Sequence, residues 1–476
     1  MNRNLTMLFD IYEISMANGF MKNGLSDTVA YYDMYYRNVP DNGGFVVMAG
    51  VDELVDYLSN INFTDDDIAY LRTQGIDEQF LDYLKDFHFD CDVWAVPEGT
   101  PIFKNEPIVT VRGPVIQAQL IETMLLMLIN HQSLIATKAN RIVRSASGRS
   151  VVEFGARRAQ GSAAAVFGAR SAYIGGCVGT TNLMAGETYG IPLFTSMTPS
   201  WVQLFDSELD AFRAYARMYP DNCTLLIDTY NVIKSGLPNA IEAFRTEILP
   251  HGSRPKAVRI NSGDITYLSK IARKKLDEAG FPDCKIIASN SLDEYIIRDM
   301  LLQGAKVDIF GVGERLVTSS SSPVLDGVYK LSAIEKDGKV IPKIRLSENV
   351  EKINTPGAKK LYRLFGRDDG KAIADVVTLA DESIDESVPF TLFDPDYTWK
   401  KKEITDFVAR PLLRQIFDHG NCVYEPKTIS ETRAYCLEQI GTLWEEVIRF
   451  EHPHKYYVDL SQKLWDMKNE LIGAMR

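Results

Sequence analysis

Between residues 149 and 314 the pattern of apolar and polar positions repeats: a short β-branched apolar run, a cluster of glycine and polar residues, then an amphipathic stretch at helical spacing. The apolar runs are 150–154, 172–177, 191–197, 224–228, 257–260, 285–288 and 307–310. They lie roughly 15 to 35 residues apart, as successive βα units do. Two intervening helices are expected over 201–216 and 265–279, the second closing on Gly280 as a C-cap. The count predicts an α/β fold with a parallel sheet. An irregular (β/α) barrel accounts for about seven units better than an open doubly wound sheet does.

The flanking regions read differently. Residues 28–36 alternate as a strand, 51–58 form a helix, 93–96 and 107–111 are strands, and 117–138 form one long helix. Beyond 325 come strand-like stretches at 327–334 and 340–346, an acidic segment at 379–387, and a charged helical tail over 430–475. These patterns place an N-terminal α/β flanking domain at 1–140, a barrel core at 141–330, and a segment at 331–476 that completes the barrel edge and the flanking domain.

Composition narrows the function classes. The chain has 476 residues, 45% hydrophobic and 24% charged, enough to bury a core without disulfides or a structural metal. A net charge of −12, spread along the chain, argues against a nucleic-acid or anionic-membrane surface, so any phosphate site must be built locally from converging Arg, Lys and N–H groups. The cysteines at 91, 177, 223, 284, 422 and 436 form no C-x-x-C pair and read as buried reduced thiols. No stretch approaches the roughly 18 apolar residues of a membrane span, and a cytoplasmic location is expected.

Small, hydroxylic and charged residues follow each apolar run: GARRAQ, GTTN, SMTPS, DTYN, NSGD, SNS and GVGERLVTS. A parallel α/β fold places its active site at these carboxyl ends. In Glu153-Phe-Gly-Ala-Arg-Arg-Ala-Gln160 the paired Arg157 and Arg158 suit an anion, although two arginines also suit a solvated helix start; Phe154 serves either the core or a stacked ligand. In Ala257-Val-Arg-Ile-Asn-Ser-Gly-Asp264, Arg259 and Asn261 share one strand face, and a buried Arg259 calls for an anionic partner. Asp264 is an N-cap or a site residue. Gly311 and Gly313 open a loop of the kind that holds phosphate.

Together these segments resemble the nicotinate phosphoribosyltransferase family over nearly the whole chain. The carrying residues also include Phe9-Asp-Ile-Tyr-Glu13, Tyr36-Arg-Asn-Val-Pro40 with Gly50, Leu134-Ile-Ala-Thr-Lys138, Gly179-Thr-Thr-Asn182, Asp228-Thr-Tyr230, Ala288-Ser-Asn290 and the run from Gly311 to Thr318. The resemblance implies an enzyme of NAD salvage. It would form nicotinate mononucleotide and pyrophosphate from nicotinate and phosphoribosyl pyrophosphate with Mg²⁺, coupled to ATP hydrolysis. It further implies a homodimer, with Tyr12 of one subunit and Phe154 of the other sandwiching the pyridine ring, and Arg259 pairing with the ring carboxylate. Arg259, Asn261 and Asp264 would be catalytic; Arg37, Arg157, Ser196, Thr318 and the loop holding Gly311 and Gly313 would meet phosphates and ribose.

Several positions depart from the family pattern: Thr195, Ser196, Thr198 and Pro199 in one loop, and Asn261 in another. Where the family reads G-T-x-A-H-S, with a histidine phosphorylated by ATP, this chain reads Thr195-Ser-Met-Thr-Pro-Ser200, so Pro199 stands at the histidine position. Proline can hold no phosphoryl group, and with Thr198 as N-cap it suits the first position of a helix. Asn261 stands where the family usually has Asp. The expectation is a transferase uncoupled from ATP; the alternative is a catalytically impaired paralogue that binds pyridine nucleotides or ribose phosphates.

Overall fold

In the computed structural model, which describes residues 4–475, the expected parallel sheet is present. Strands Ser150–Glu153, Ile309–Val312, Lys285–Ser289, Ala257–Ile260 and Thr224–Leu226 lie side by side in that order, each parallel to its neighbours. Parallel bridges from Glu153 to Thr180 and from Thr180 to Leu193 extend the ladder beyond its first strand. Because all these segments run the same way, the loops after them gather at one end.

Helices separate the strands for reasons local to the sequence. Asp264 accepts a hydrogen bond from the Tyr267 N–H at 2.9 Å and starts Ile265–Glu278, which closes on Gly280 at φ +86°. Asp293 likewise caps Glu294–Leu302 through the Ile296 N–H. The apolar face of the first enters a core that includes Phe212, Phe244 and Phe281, the last two meeting edge to face at 5.6 Å, while Ile297 and Met300 of the second pack into a separate core with Phe310 and Leu316. Each such ring contributes about 1.5–3 kcal/mol by leaving water.

Several expected elements differ. The run 172–177 is the end of helix Ser162–Ile174 and the glycine turn after it, and the strand position belongs instead to Thr180. That helix is buried over its second half, so its apolar run lacks the polar face that would have betrayed a helix. The run 191–197 pairs only at Leu193; Pro192 supplies no N–H for a ladder. The helix expected over 201–216 is two, Pro199–Gln203 and Glu208–Met218, because Ser207 caps a new start by accepting from the Asp210 N–H. The one over 117–138 breaks at Ile121 into Val115–Leu120 and Glu122–Ser145.

The chain divides into two compact units: residues 135–323 with 428–433, which carry the parallel sheet, and the described residues of 1–134, 324–427 and 434–476. The latter unit is built on antiparallel pairing, with Val29–Tyr36 between Gly327–Lys336 and Val109–Pro114. A second sheet joins Phe407–Pro411, Lys359–Gly366, Ala372–Leu379 and Val458–Leu460. The strands between 359 and 418 were not foreseen, and the tail is two helices, Ile429–Gly441 and Gln462–Ala474, separated by the strand Val458–Leu460. Five cysteines are buried as expected, but Cys422 is exposed. Among the described residues no helix is long and apolar enough to cross a membrane.

Candidate active site

The carboxyl ends of the parallel strands bring together an aromatic ring, a half-buried cation and a set of neutral acceptors. Phe154 follows the strand Ser150–Glu153 and donates its N–H to the Val312 carbonyl at 2.8 Å. Its ring lies where a Cβ on Gly311 would come within 2.8 Å, so only glycine at 311 leaves it room. The Arg259 guanidinium sits over this ring, 5.3 Å from its centroid.

Arg259 donates through Nε to Ser289 Oγ at 2.9 Å and makes a longer contact through Nη2 with Asn261 Oδ1 at 3.4 Å. Ser289 in turn donates to Asn261 Oδ1 at 2.9 Å. The groups that Arg259 touches are therefore neutral. Burial disfavours its charge, Asp228 supports it from a distance and Arg157 opposes it; the balance holds its pKa below the usual guanidinium value. Asp228 itself accepts from the Asn261 N–H and the Ser262 hydroxyl, both at 2.7 Å, and so ties the ends of two adjacent strands.

Gly313 precedes the short helix Glu314–Val317, and a Cβ there would approach the Phe154 carbonyl at 3.1 Å. Thr318 turns its hydroxyl back to the Glu314 carbonyl at 2.7 Å. Arg157 is exposed on the turn Ala156–Arg158, while Arg158 lies 4.0 Å from Glu314. Ser196 holds a buried Oγ without a hydrogen-bond partner. Asp264 is exposed and engaged as a helix cap.

Pro199 is the first residue of helix Pro199–Gln203, with extended Thr198 at the N-cap and the Thr198 and Ser200 hydroxyls 2.7 Å apart. The histidine of this unit is His251, which contacts Ser253 before the strand Ala257–Ile260, at the opposite end of the sheet. Nothing in the loop replaces the missing imidazole.

The sheet thus gathers Phe154, Arg259, Asn261, Gly311 and Gly313 directly, with Arg157 within electrostatic reach. Tyr12 and Arg37 belong to the other unit. There Tyr12 opens the helix Ile11–Lys22 with 42% of its surface exposed, and Arg37 donates to the Glu351 carbonyl at 3.0 Å. Sequence reasoning quoted Asp228 and Ser289 within motifs without giving them a role; their places at strand ends were the available signal.

The chain is similar to known proteins over most of its length. Residues 7–130 match the family model described as the nicotinate phosphoribosyltransferase N-terminal domain, and 358–468 match the nicotinate phosphoribosyltransferase C-terminal domain. The nicotinate phosphoribosyltransferase of Bacillus subtilis is 40% identical, over 99% of this chain and 96% of that protein. One from Dictyostelium discoideum is 32% identical, over 98% of this chain and 88% of that protein. The crystal structure of human nicotinic acid phosphoribosyltransferase superposes with a TM-score of 0.87 at 27% identity, covering 97% of this chain and 99% of that one.

Proposed function

The chain belongs to the nicotinate phosphoribosyltransferase family, and on that footing we propose that it forms nicotinate mononucleotide and pyrophosphate from nicotinate and phosphoribosyl pyrophosphate, without coupling to ATP. The observation that carries the reading is Arg259: a half-buried cation over an aromatic ring, touching only neutral groups among the described residues, suits a flat ring bearing a carboxylate. Phe154 offers that ring a face, and the loop holding Gly311 and Gly313, with Arg157 and Thr318, suits the phosphates and ribose. Ser196 offers a further hydroxyl, and Asn261 and Asp228 offer acceptors for ribose hydroxyls.

The pyridine nitrogen attacks C1 of the ribose as the bond to pyrophosphate breaks, so the lone pair forms the new C–N bond and the leaving oxygen takes the old bonding pair. No proton moves, and no general base is required. The protein's task is to orient the ring and stabilise charge on the leaving group. Mg²⁺ supplies charge neutralisation on the pyrophosphate when bound. It usually keeps waters and binds through one or two carboxylates plus substrate phosphates, a demand that Asp228 and Asp264 fit.

Pro199 and His251 support the loss of ATP coupling: the first cannot carry a phosphoryl group, and the second lies at the wrong end of the sheet. A homodimer is part of the proposal. Leu5, Leu8, Ile11, Tyr12 and Met16 expose apolar surface on and before the first helix, suited to cover by a second copy that places Tyr12 against a partner site. A cytoplasmic location suits thiols that form no disulfide.

The test is nicotinate mononucleotide formation with and without ATP, with ADP scored alongside. Product without ADP release supports the proposal, and nicotinate-dependent ADP release overturns its uncoupled form. Pro199 also favours a second reading, a paralogue that binds pyridine nucleotides or ribose phosphates without turnover. Nucleotide binding with no product from any pyridine base would favour that reading.

A further inference from the structure

Glu153 is a buried carboxylate that the reaction above does not use. Its residue has no exposed surface, and among the described residues its carboxylate touches no cation. Oε1 accepts the Gly155 N–H, and Oε2 accepts the Thr180 hydroxyl at 2.6 Å. Thr180 Oγ1 in turn accepts the Asn182 N–H at 2.9 Å. The backbone of Glu153 also reaches the second loop, donating to the Gly179 carbonyl at 3.0 Å and accepting from the Thr181 N–H at 3.1 Å.

Strand pairing needs only those backbone bonds, so an ionisable side chain here is a cost that hydrophobic packing would avoid. Burial pushes the Glu153 carboxyl up, while the two donors oppose that shift. What the side chain adds is a rigid link between two loops at the carboxyl end. One carries Phe154 and Arg157. The other is the Gly179–Asn182 turn. The link is tight on its far side as well: a Cβ on Gly155 would lie 2.6 Å from Val317 and 2.7 Å from Glu153 Oε1, so the backbone at 155 is clamped between the carboxylate and the phosphate-loop helix.

We propose that Glu153, acting through Thr180 and Gly155, is a positioning residue that sets the Phe154 ring and the Arg157 guanidinium for substrate without touching it. The inference rests on the transferase reading. Displacement of a positioned group by about 1 Å can cost on the order of a hundredfold in rate, so losing one end of the link should be visible in substrate affinity.

The test compares the native protein with Thr180→Val, Thr180→Ser and Glu153→Gln, measuring KM and kcat for both substrates, calorimetric affinity for nicotinate, and melting temperature. Thr180→Val removes the donor at nearly constant volume and is expected to raise KM and the nicotinate dissociation constant about tenfold, with a smaller change in kcat. Thr180→Ser keeps the hydroxyl and is expected to stay within about twofold of native. Glu153→Gln is expected to fall between them. If Thr180→Val lowers only the melting temperature and leaves KM and affinity native, or if Thr180→Ser is as impaired as Thr180→Val, the positioning role is wrong. A native protein that neither forms product nor binds nicotinate overturns the transferase reading and this inference with it; a native protein that does both while the variants match it overturns the inference alone.

Discussion

Arg363 is fully buried and Arg259 half-buried, one in each unit, and their surroundings differ. Arg363 meets Asp375 through two bonds of 2.7 and 2.6 Å and gives a third to the Pro101 carbonyl, beside the stacked rings of Phe103 and Tyr456. Neither partner of this ion pair has exposed surface. Arg259 is offered a hydroxyl, an amide oxygen and the face of Phe154. A cation whose charge is answered inside the fold holds sheets together, whereas one left unanswered at a loop-lined strand end is kept for a ligand.

The sharpest way to break this contrast is to remove each guanidinium and ask which quantity falls. Arg363→Ala leaves Asp375 buried without its cation and is expected to cost about 3–5 kcal/mol in a denaturant titration. A loss near that of an exposed salt bridge, under about 1 kcal/mol, would show that the pair is dispensable. Arg259→Gln is expected to lower kcat/KM for nicotinate by roughly 10- to 100-fold, the worth of a charge-assisted hydrogen bond, with the melting temperature near native. Destabilisation without a change in kcat/KM would make Arg259 a structural residue like Arg363.

Glu13 adds a third case, a buried acid that touches no cation among the described residues. Burial pushes its carboxyl up to about 7; bonds from Thr123 and the Asp10 backbone oppose the shift, and Glu122 and Asp10 reinforce it. The native state therefore keeps a proton that the unfolded chain has released. Its contribution to stability is present below the ordinary carboxyl range and is lost as pH rises through about 7. Glu13→Gln should flatten the fall in denaturation midpoint across that window, and an unchanged slope would assign the titration to another group. The smallest effect is expected at Pro199, where Pro199→Ala should cost about 0.4–1 kcal/mol by loosening the unfolded chain. A gain in stability would mean that the ring strains the loop it opens.

Much of the parallel sheet was legible because its strands are short β-branched runs followed by glycine and hydroxyl clusters, as at Ala257–Ile260 and Ile309–Val312. The run 172–177 was misread because a helix buried over its second half has no polar stripe there to reveal its period. The antiparallel strands Lys359–Gly366 and Ala372–Leu379 escaped notice because their pairing depends on partners distant in sequence, including Val458–Leu460. The site was readable as a set of strand-end residues. Which of them touch was not: Ser289 and Arg259 are thirty residues apart and meet only because their strands are neighbours.

The sequence by itself determined the five strand runs of the parallel sheet, the helix starts at Asp264 and Pro199, the absence of a phosphate-accepting side chain at 199, and the family to which the chain belongs. Those features are local or are carried by residue identity. The tertiary structure alone decided that Arg259 is answered by neutral groups while Arg363 is answered by a carboxylate, and that Glu153 joins two loops rather than forming an ion pair. Desolvation and pairing of charge depend on which distant strands lie alongside, and no local pattern along the chain encodes that.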